Sequence, residues 1–195
     1  MTLVLASASQ SRARLLAAAG VPFTVMPAAL DEAGLMADLG AAGPDAVALA
    51  LAEQKALAVS RRAPDALVLG GDSVIGFAGE NLSKCADLGE ARALLLRLAG
   101  NTHRLVSAAA LARGGAVIWR HTAPSEMTMR AFTPGFVEDY LAAEGEGILD
   151  SVGCYHFEGR GAQLFDAIKG DYFAILGLPL LAVLAALRKE GALAA

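Results

Sequence analysis

Disulfide-forming cysteines, clustered histidines and surplus basic charge are all missing from this sequence. Two cysteines, Cys85 and Cys154, are too few for a disulfide framework, and histidines at 103, 121 and 156 stand at no zinc-ligand spacing. Two partly buried free thiols in a reducing compartment are expected. Sixteen Lys and Arg against 20 Asp and Glu give a net charge of -4, which excludes a broad nucleic-acid-binding face and leaves room only for a local basic pocket. The longest uncharged runs, Leu15 to Leu30 and Phe173 to Leu187, fall short of the roughly 20 apolar residues of a membrane helix, and each contains Pro and Gly. The opening "LVLA" has no basic flank and is too short for a signal-peptide core. The expected location is therefore cytoplasmic, with no membrane or nucleic-acid partner. Ready-made motifs are absent too: there is no G-x-x-x-x-G-K-[ST] and no G-x-S-x-G. "GRGAQL" (Gly159 to Leu164) lacks the third glycine and the later acidic residue of a dinucleotide fingerprint. His103 has no evident Ser and Asp partners for a triad.

What is present is apolar and ordered. With 195 residues, 55% of them hydrophobic and 18% charged, the chain has the material for one large core or two closely joined lobes. Leu3 to Ala6 reads as a buried strand followed by a helix capped by Ser9 and stopped by Gly20. A strand at Phe23 to Met26 precedes an Ala-, Gly- and Asp-rich stretch from Pro27 to Gly43, read as a loop with at most one helical turn. Pro44 at a helix N1 position opens a long Ala- and Leu-rich helix ending before Pro64. "ALVLGGDSVIGF" reads as strand, interruption, strand, and Asp87 with Glu90 as a capping box for a helix closed by Gly100. Residues 102 to 130 have the pattern of a long hairpin turning at Gly114-Gly115. Helices are expected from Thr133 to Ala143, at Ala162 to Ile168 and from about Pro179, with a strand near Ser151 to Phe157. Helices alternating with strands, plus a central hairpin, predict an α/β fold on a mixed sheet.

Phosphate chemistry needs cations or amide donors for the oxygens and, where a divalent ion is used, carboxylates to share it. Asp72 follows the apolar run Ala66 to Leu69 and two glycines that allow close backbone approach. Lys84 lies twelve residues further on, the separation that a strand, turn and return strand would close. Lys55 sits in the alanine-rich helix, and Glu32 beside Asp31 is a candidate metal carboxylate. Ser7, Ser9 and Arg12, at a helix start, form a candidate phosphate cradle. Each has a plain structural alternative: a turn aspartate, solvated lysines, an acidic partner of a helix dipole, a capped amphipathic helix with exposed arginines.

In order along the chain, "LASASQSRARLL", "LDE", "LAEQKA", "GGDSV", "LSKC", "LAGNTH", "VGCY" and "IKGDYFAILGLPLLAVLAAL" resemble the Maf family of nucleoside triphosphate pyrophosphatases over almost the full length. The resemblance implies a single Maf-like domain, residues 1–195, related to the inosine-triphosphate pyrophosphatases: a long mixed β-sheet with flanking helices and two lobes around a cleft. It implies hydrolysis of a nucleoside triphosphate to monophosphate and pyrophosphate with a divalent cation, Mg²⁺ or Mn²⁺, and offers a homodimer, common among relatives. Carried over by position, Asp72 is similar to the family's catalytic carboxylate and Glu32 to its metal-site partner, with Asp72 shared between both roles. Ser7, Arg12, Lys55 and Lys84 match its phosphate and nucleotide contacts, and Ser9 and Glu158 are also expected to bind substrate. Departures are Ser9-Gln10-Ser11-Arg12 in place of Ser-Pro-Arg-Arg, Cys85 in place of Pro, Ser151 in place of Lys and Glu158 in place of Gln. The first implies a weaker or rearranged phosphate grip, and the last two an altered base or sugar pocket. Glu158 with Leu164-Phe165 is similar to the branch associated with 7-methyl-GTP, more than to the one favouring dTTP and UTP. The rival reading is a non-catalytic nucleotide-binding regulator, since the family is also linked to cell-division arrest; retention of Asp72, Glu32, Lys55 and Lys84 argues against it.

Overall fold

A computed structural model describes residues 2–39 and 42–194. Among these described residues seven strands form one mixed sheet: β1 (Leu3–Leu5), β2 (Thr24–Val25), β3 (Leu67–Phe77), β4 (Glu80–Leu82), β5 (Thr102–Arg113), β6 (Ala116–Met129) and β7 (Phe165–Lys169). The order is β2-β1-β3-β5-β6-β7, with β4 also paired to β3. β1 is parallel to β2 and β3, and every other pairing is antiparallel. The helices are α1 (Gln10–Ala18), α2 (Glu32–Leu39), α3 (Pro44–Ser60), α4 (Leu88–Leu98), α5 (Pro134–Glu144), α6 (Tyr172–Ile175) and α7 (Leu180–Lys189).

Side-chain alternation along β3 and β5 divides the core. On one face Val68, Val74, Val106, Ala108, Ala110 and Ala112 meet α3 through Val47, Ala48, Leu51, Ala52, Ala56 and Val59. The small alanines let the helix lie close. The opposite face carries two packed halves. Leu3, Leu5, Leu67, Leu69 and Leu111 are covered by Leu16 of α1 and by α7, whereas Ile75, Leu105, Met127 and Met129 are covered by α4 and α5. Each fully buried leucine here contributes about 1.5–3 kcal/mol relative to exposure. A cleft lies between these halves.

The long strand β3 creates the opening. Its first three residues, Leu67 to Leu69, pair with β1 and its last three pair with β4, while β5 follows the other edge from Val68 to Gly76. Residues 70 to 74 therefore have a strand on one edge only. Gly70 and Gly71 do not interrupt the strand as their composition suggested, because both stay extended and serve close packing instead. A Cβ on Gly70 would lie 2.7 Å from Ala56 N of α3, and one on Gly71 would lie 3.2 Å from Arg12 Nε.

Local chemistry explains most boundaries. The Ser9 hydroxyl accepts from Arg12 N, Thr133 accepts from Phe136 N, and Asp87 accepts from Glu90 N while the Glu90 carboxylate accepts from Ala86 N. Gly20 (φ 70) and Gly100 (φ 69) follow their helices in the left-handed region. The β3–β4 turn uses Ala78 (φ 51) and Gly79 (φ 83), the positive pair that a two-residue hairpin needs.

Three further expectations are corrected. The stretch read as a loop contains the eight-residue helix α2, whose start is held by Asp31 accepting from Gly34 N and whose Leu35, Met36 and Leu39 pack on the α3 core; residues 40 and 41 lie outside the described residues. Residues 151 to 157 form turns, not a strand, with Cys154 at φ 53 and Tyr155 packed over Gly153. The helix expected at residues 162 to 168 is present only in its first part: a 3-10 helix at Arg160–Leu164 leads into β7, which pairs with Glu126 to Met129 of β6. Tertiary pairing overrides helix propensity there.

Candidate active site

The cleft has a volume of about 340 Å³. All eight residues singled out in the sequence line it: Ser7, Ser9, Arg12, Glu32, Lys55, Asp72, Lys84 and Glu158. They come from the β1–α1 junction, the start of α2, the middle of α3, the centre of β3, the segment after β4 and the turn region before β7.

At the floor, Lys55 Nζ lies 2.8 Å from Asp72 Oδ1 and 2.9 Å from Glu32 Oε1. Lys55 and Asp72 are buried, while Glu32 is half exposed. Three distant parts of the chain thus meet on one ammonium. The meeting follows from Gly70: it shares a strand face with Asp72 and lets the Ala52–Ala56 side of α3, which also carries Lys55, rest on β3. Glu32 is delivered separately as the first residue of α2.

Arg12 is nearly inaccessible and fixed on three sides. Its Nε donates to the Gly177 carbonyl at 2.8 Å, Nη1 to Ser7 Oγ at 3.1 Å and Nη2 to Ser73 Oγ at 3.1 Å, with Asp72 Oδ1 4.0 Å from Nη2. Burial pulls its pKa below the ordinary value, and the charges of Asp72 and Glu32 oppose that shift. Gly177 at φ 109 turns the chain at the point where its carbonyl meets the guanidinium. Ser7 also accepts from Ser9 N, and the Ser9 hydroxyl is occupied as the α1 cap. Within the SQSR stretch, Ser11 Oγ accepts from Arg14 Nη2, which also lies 3.4 Å from Glu158 Oε1. Lys84 is exposed at the mouth, brought back by the β3–β4 hairpin.

Sequence reasoning missed several parts of the lining. Ser73, next to Asp72, points to the opposite strand face and onto Arg12. Tyr155 and Phe157 form an aromatic wall with Phe165, at ring separations of 4.9 and 5.5 Å. The "VGCY" stretch carried the signal for Tyr155, but its turn geometry is not a local pattern. At the rim, His156 Nε2 is 2.7 Å from Asp150 Oδ1. Deeper, His103 pairs with the Tyr155 hydroxyl at 2.8 Å, and burial lowers its pKa to about 4. Burial raises the Cys154 thiol to about 12, with neighbouring Cys85 contributing, so this thiol stays protonated near neutrality.

Among the described residues, no three His, Cys, Asp or Glu side chains converge as an all-protein metal cage. Glu32 and Asp72 nevertheless each commit one oxygen to Lys55, and the second oxygen of each has no hydrogen bond or ion pair among the described residues. Two carboxylates with free lone pairs suit a Mg²⁺-like ion, which binds through one or two carboxylates and completes its shell with substrate oxygens and water. No described helix is long and apolar enough to cross a membrane.

Comparison with known proteins agrees with this architecture. The "Maf-like protein" family profile matches residues 2–190. The "7-methyl-GTP pyrophosphatase" of Mesorhizobium japonicum is 50% identical, covering 98% of this chain and 97% of its own. The "nucleoside triphosphate pyrophosphatase" of Granulibacter bethesdensis is 46% identical, covering 99% of each. A second "7-methyl-GTP pyrophosphatase", from Rhizobium johnstonii, is 47% identical over 98% of this chain and 97% of its own. With the family pattern running through both halves of the sheet and every wall of the cleft, the chain belongs to the Maf family.

Proposed function

We propose that this chain acts as one unit to hydrolyse the α-β phosphoanhydride of a nucleoside triphosphate, releasing the monophosphate and pyrophosphate. The observation that carries the reading is the convergence of Asp72 and Glu32 on Lys55, beside the buried Arg12, in a single cleft. Full-length relatives named as pyrophosphatases support it.

The residues divide the work. Asp72 orients the attacking water and accepts its proton. Lys55, Arg12 and Lys84 hold the phosphate oxygens in line and offset the charge that builds on the departing pyrophosphate. The hydroxyl of Ser7 and the start of α1 add polar donors on the same side, and the Ser9 cap keeps that helix end in place. A divalent cation held by Glu32 and Asp72 would supply further neutralisation of phosphate charge.

For the base, we favour a 7-methylguanine nucleotide. Ring methylation gives that base a positive charge, which suits the faces of Tyr155 and Phe157 and the nearby carboxylate of Glu158. The two relatives named for 7-methyl-GTP are consistent with this choice.

The test is a panel of common and methylated nucleoside triphosphates with Mg²⁺ or Mn²⁺, read for pyrophosphate and monophosphate. Equimolar release of both, fastest with 7-methyl-GTP, is expected. Orthophosphate as the sole product, or no turnover across the panel, overturns the activity; equal rates for GTP and 7-methyl-GTP overturn the base assignment alone.

A further inference from the structure

The hydrogen bonds behind Arg12 have only one consistent direction. Ser107 Oγ lies 2.6 Å from the Ala174 carbonyl oxygen, which can only accept, so the Ser107 hydroxyl donates there. Its oxygen is then left to accept, and the Ser73 hydroxyl, 2.8 Å away, donates to it. Ser73 Oγ in turn accepts from Arg12 Nη2 at 3.1 Å. The chain thus runs from guanidinium to Ser73 to Ser107 to α6, with each hydroxyl proton committed. Ser73 and Ser107 are direct cross-strand partners of β3 and β5, so the sheet register itself sets their separation.

Ser107 is fully buried and does not line the cleft. It has no route to a substrate. Its contacts nevertheless lead to the segment that supplies the Gly177 carbonyl to Arg12 Nε, so α6 and the turn after it grip the guanidinium twice, once directly and once through two serines. Three of the five N–H groups a guanidinium carries are used in this way, counting Ser7.

We infer that Ser107 is a positioning residue for Arg12: acting through Ser73, it fixes the guanidinium plane so that the remaining N–H groups face the phosphate site. The inference rests on the reading of Arg12 as a phosphate contact. A buried serine in the alanine-rich strand "VSAAALA" thereby has a task that its sequence neighbours do not need.

The experiment is a double-mutant cycle on pyrophosphate release, with the nucleotide that the wild type turns over fastest. Ser107→Ala and Ser73→Ala are each expected to lower kcat/KM about 10- to 100-fold, the range for a misplaced binding group. In an Arg12→Lys background each should cost less than about twofold further, because the group being positioned is gone. Ser73→Thr, which keeps the hydroxyl at the cleft edge, should recover most of the activity lost in Ser73→Ala. A readout independent of turnover is hydrogen exchange of the Arg12 Nε–H, expected to be at least about tenfold faster in either alanine variant. Should Ser107→Ala fail to fold, Ser73→Ala completes the same cycle. Equal losses in both backgrounds, or unchanged Nε–H exchange, would overturn the inference. Arg12→Lys with full activity would instead refute the phosphate role of Arg12, leaving the exchange result to decide the positioning.

Discussion

Gly70→Ala probes how the floor of the cleft is assembled. A Cβ at Gly70 would press on the Ala52 carbonyl and lie 2.7 Å from Ala56 N, against an ordinary contact distance of at least 3.4 Å. Both atoms belong to the backbone of α3, so the whole helix must retreat, by about 0.7 Å from Ala56 alone and further from the carbonyl. Overpacking of this kind costs about 1–3 kcal/mol, which for a chain of this size lowers Tm by about 2–12 °C. Lys55 moves with the helix, while Asp72 stays on β3. A displacement near 1 Å is enough for a loss of roughly 100-fold in rate. Gly71→Ala supplies the contrast: its Cβ meets Arg12 Nε at 3.2 Å and Cδ at 3.3 Å, atoms of a side chain that can yield by a few tenths of an ångström. That variant should lose under about 1 kcal/mol of stability yet lose activity measurably. Gly147→Ala, with nothing within 4 Å of the added carbon, is the control. Thermal unfolding and pyrophosphate release would be measured for all three. A Gly70→Ala protein as stable and active as the control would refute the claim that α3 is seated through this glycine.

Three further outcomes are expected. Burial holds His103 at about 4 against an ordinary 6.5, so below pH 6.5 the unfolded chain takes up a proton that the folded chain refuses; stability is complete above that pH and falls by about 3 kcal/mol as pH drops to 4. His103→Phe should flatten that part of the curve in chemical denaturation, although it lowers stability throughout by depriving the Tyr155 hydroxyl of its partner; an unchanged slope would show that other groups set it. A thiol reagent at neutral pH should modify Cys85 readily and Cys154 only after unfolding, so two fast-reacting thiols in the native protein would contradict the burial of Cys154. Glu158→Gln should slow 7-methyl-GTP turnover more than GTP turnover, and an equal effect on both would remove Glu158 from base selection.

Local signals carried much of this structure. Caps at Ser9 and Asp87, the Gly114-Gly115 hairpin and the helix starts at Pro44 and Thr133-Pro134 all follow from single-residue chemistry, and the structure has each where the sequence places it. What escaped depends on partners distant in the chain. The α2 helix has a composition suited to a loop and is stabilised by packing on α3. β7 is short and gains its conformation from β6. The glycines before Asp72 looked like a break because their neighbours, α3 and Arg12, are 14 or more residues away in sequence. For the site, the residues that meet in the cleft could be named from the sequence, but the contacts among them could not. Loss of an adjacent arginine implied a weaker or rearranged phosphate grip; Arg12 itself is held by Ser7, Ser73 and Gly177, and the latter two contacts exist only once β3 and the segment after α6 are in place.

The central claim is that Asp72 activates water against a polyphosphate bound over Lys55 and Arg12. Its most direct test is single-turnover pyrophosphate release by wild type and Asp72→Asn, with saturating nucleotide and Mg²⁺ and with folding of both verified by thermal unfolding. General-base catalysis typically contributes about 10²- to 10⁴-fold, so a fall of at least 100-fold in the chemical step is predicted. A folded Asp72→Asn protein that keeps more than about a tenth of the wild-type rate would contradict the account.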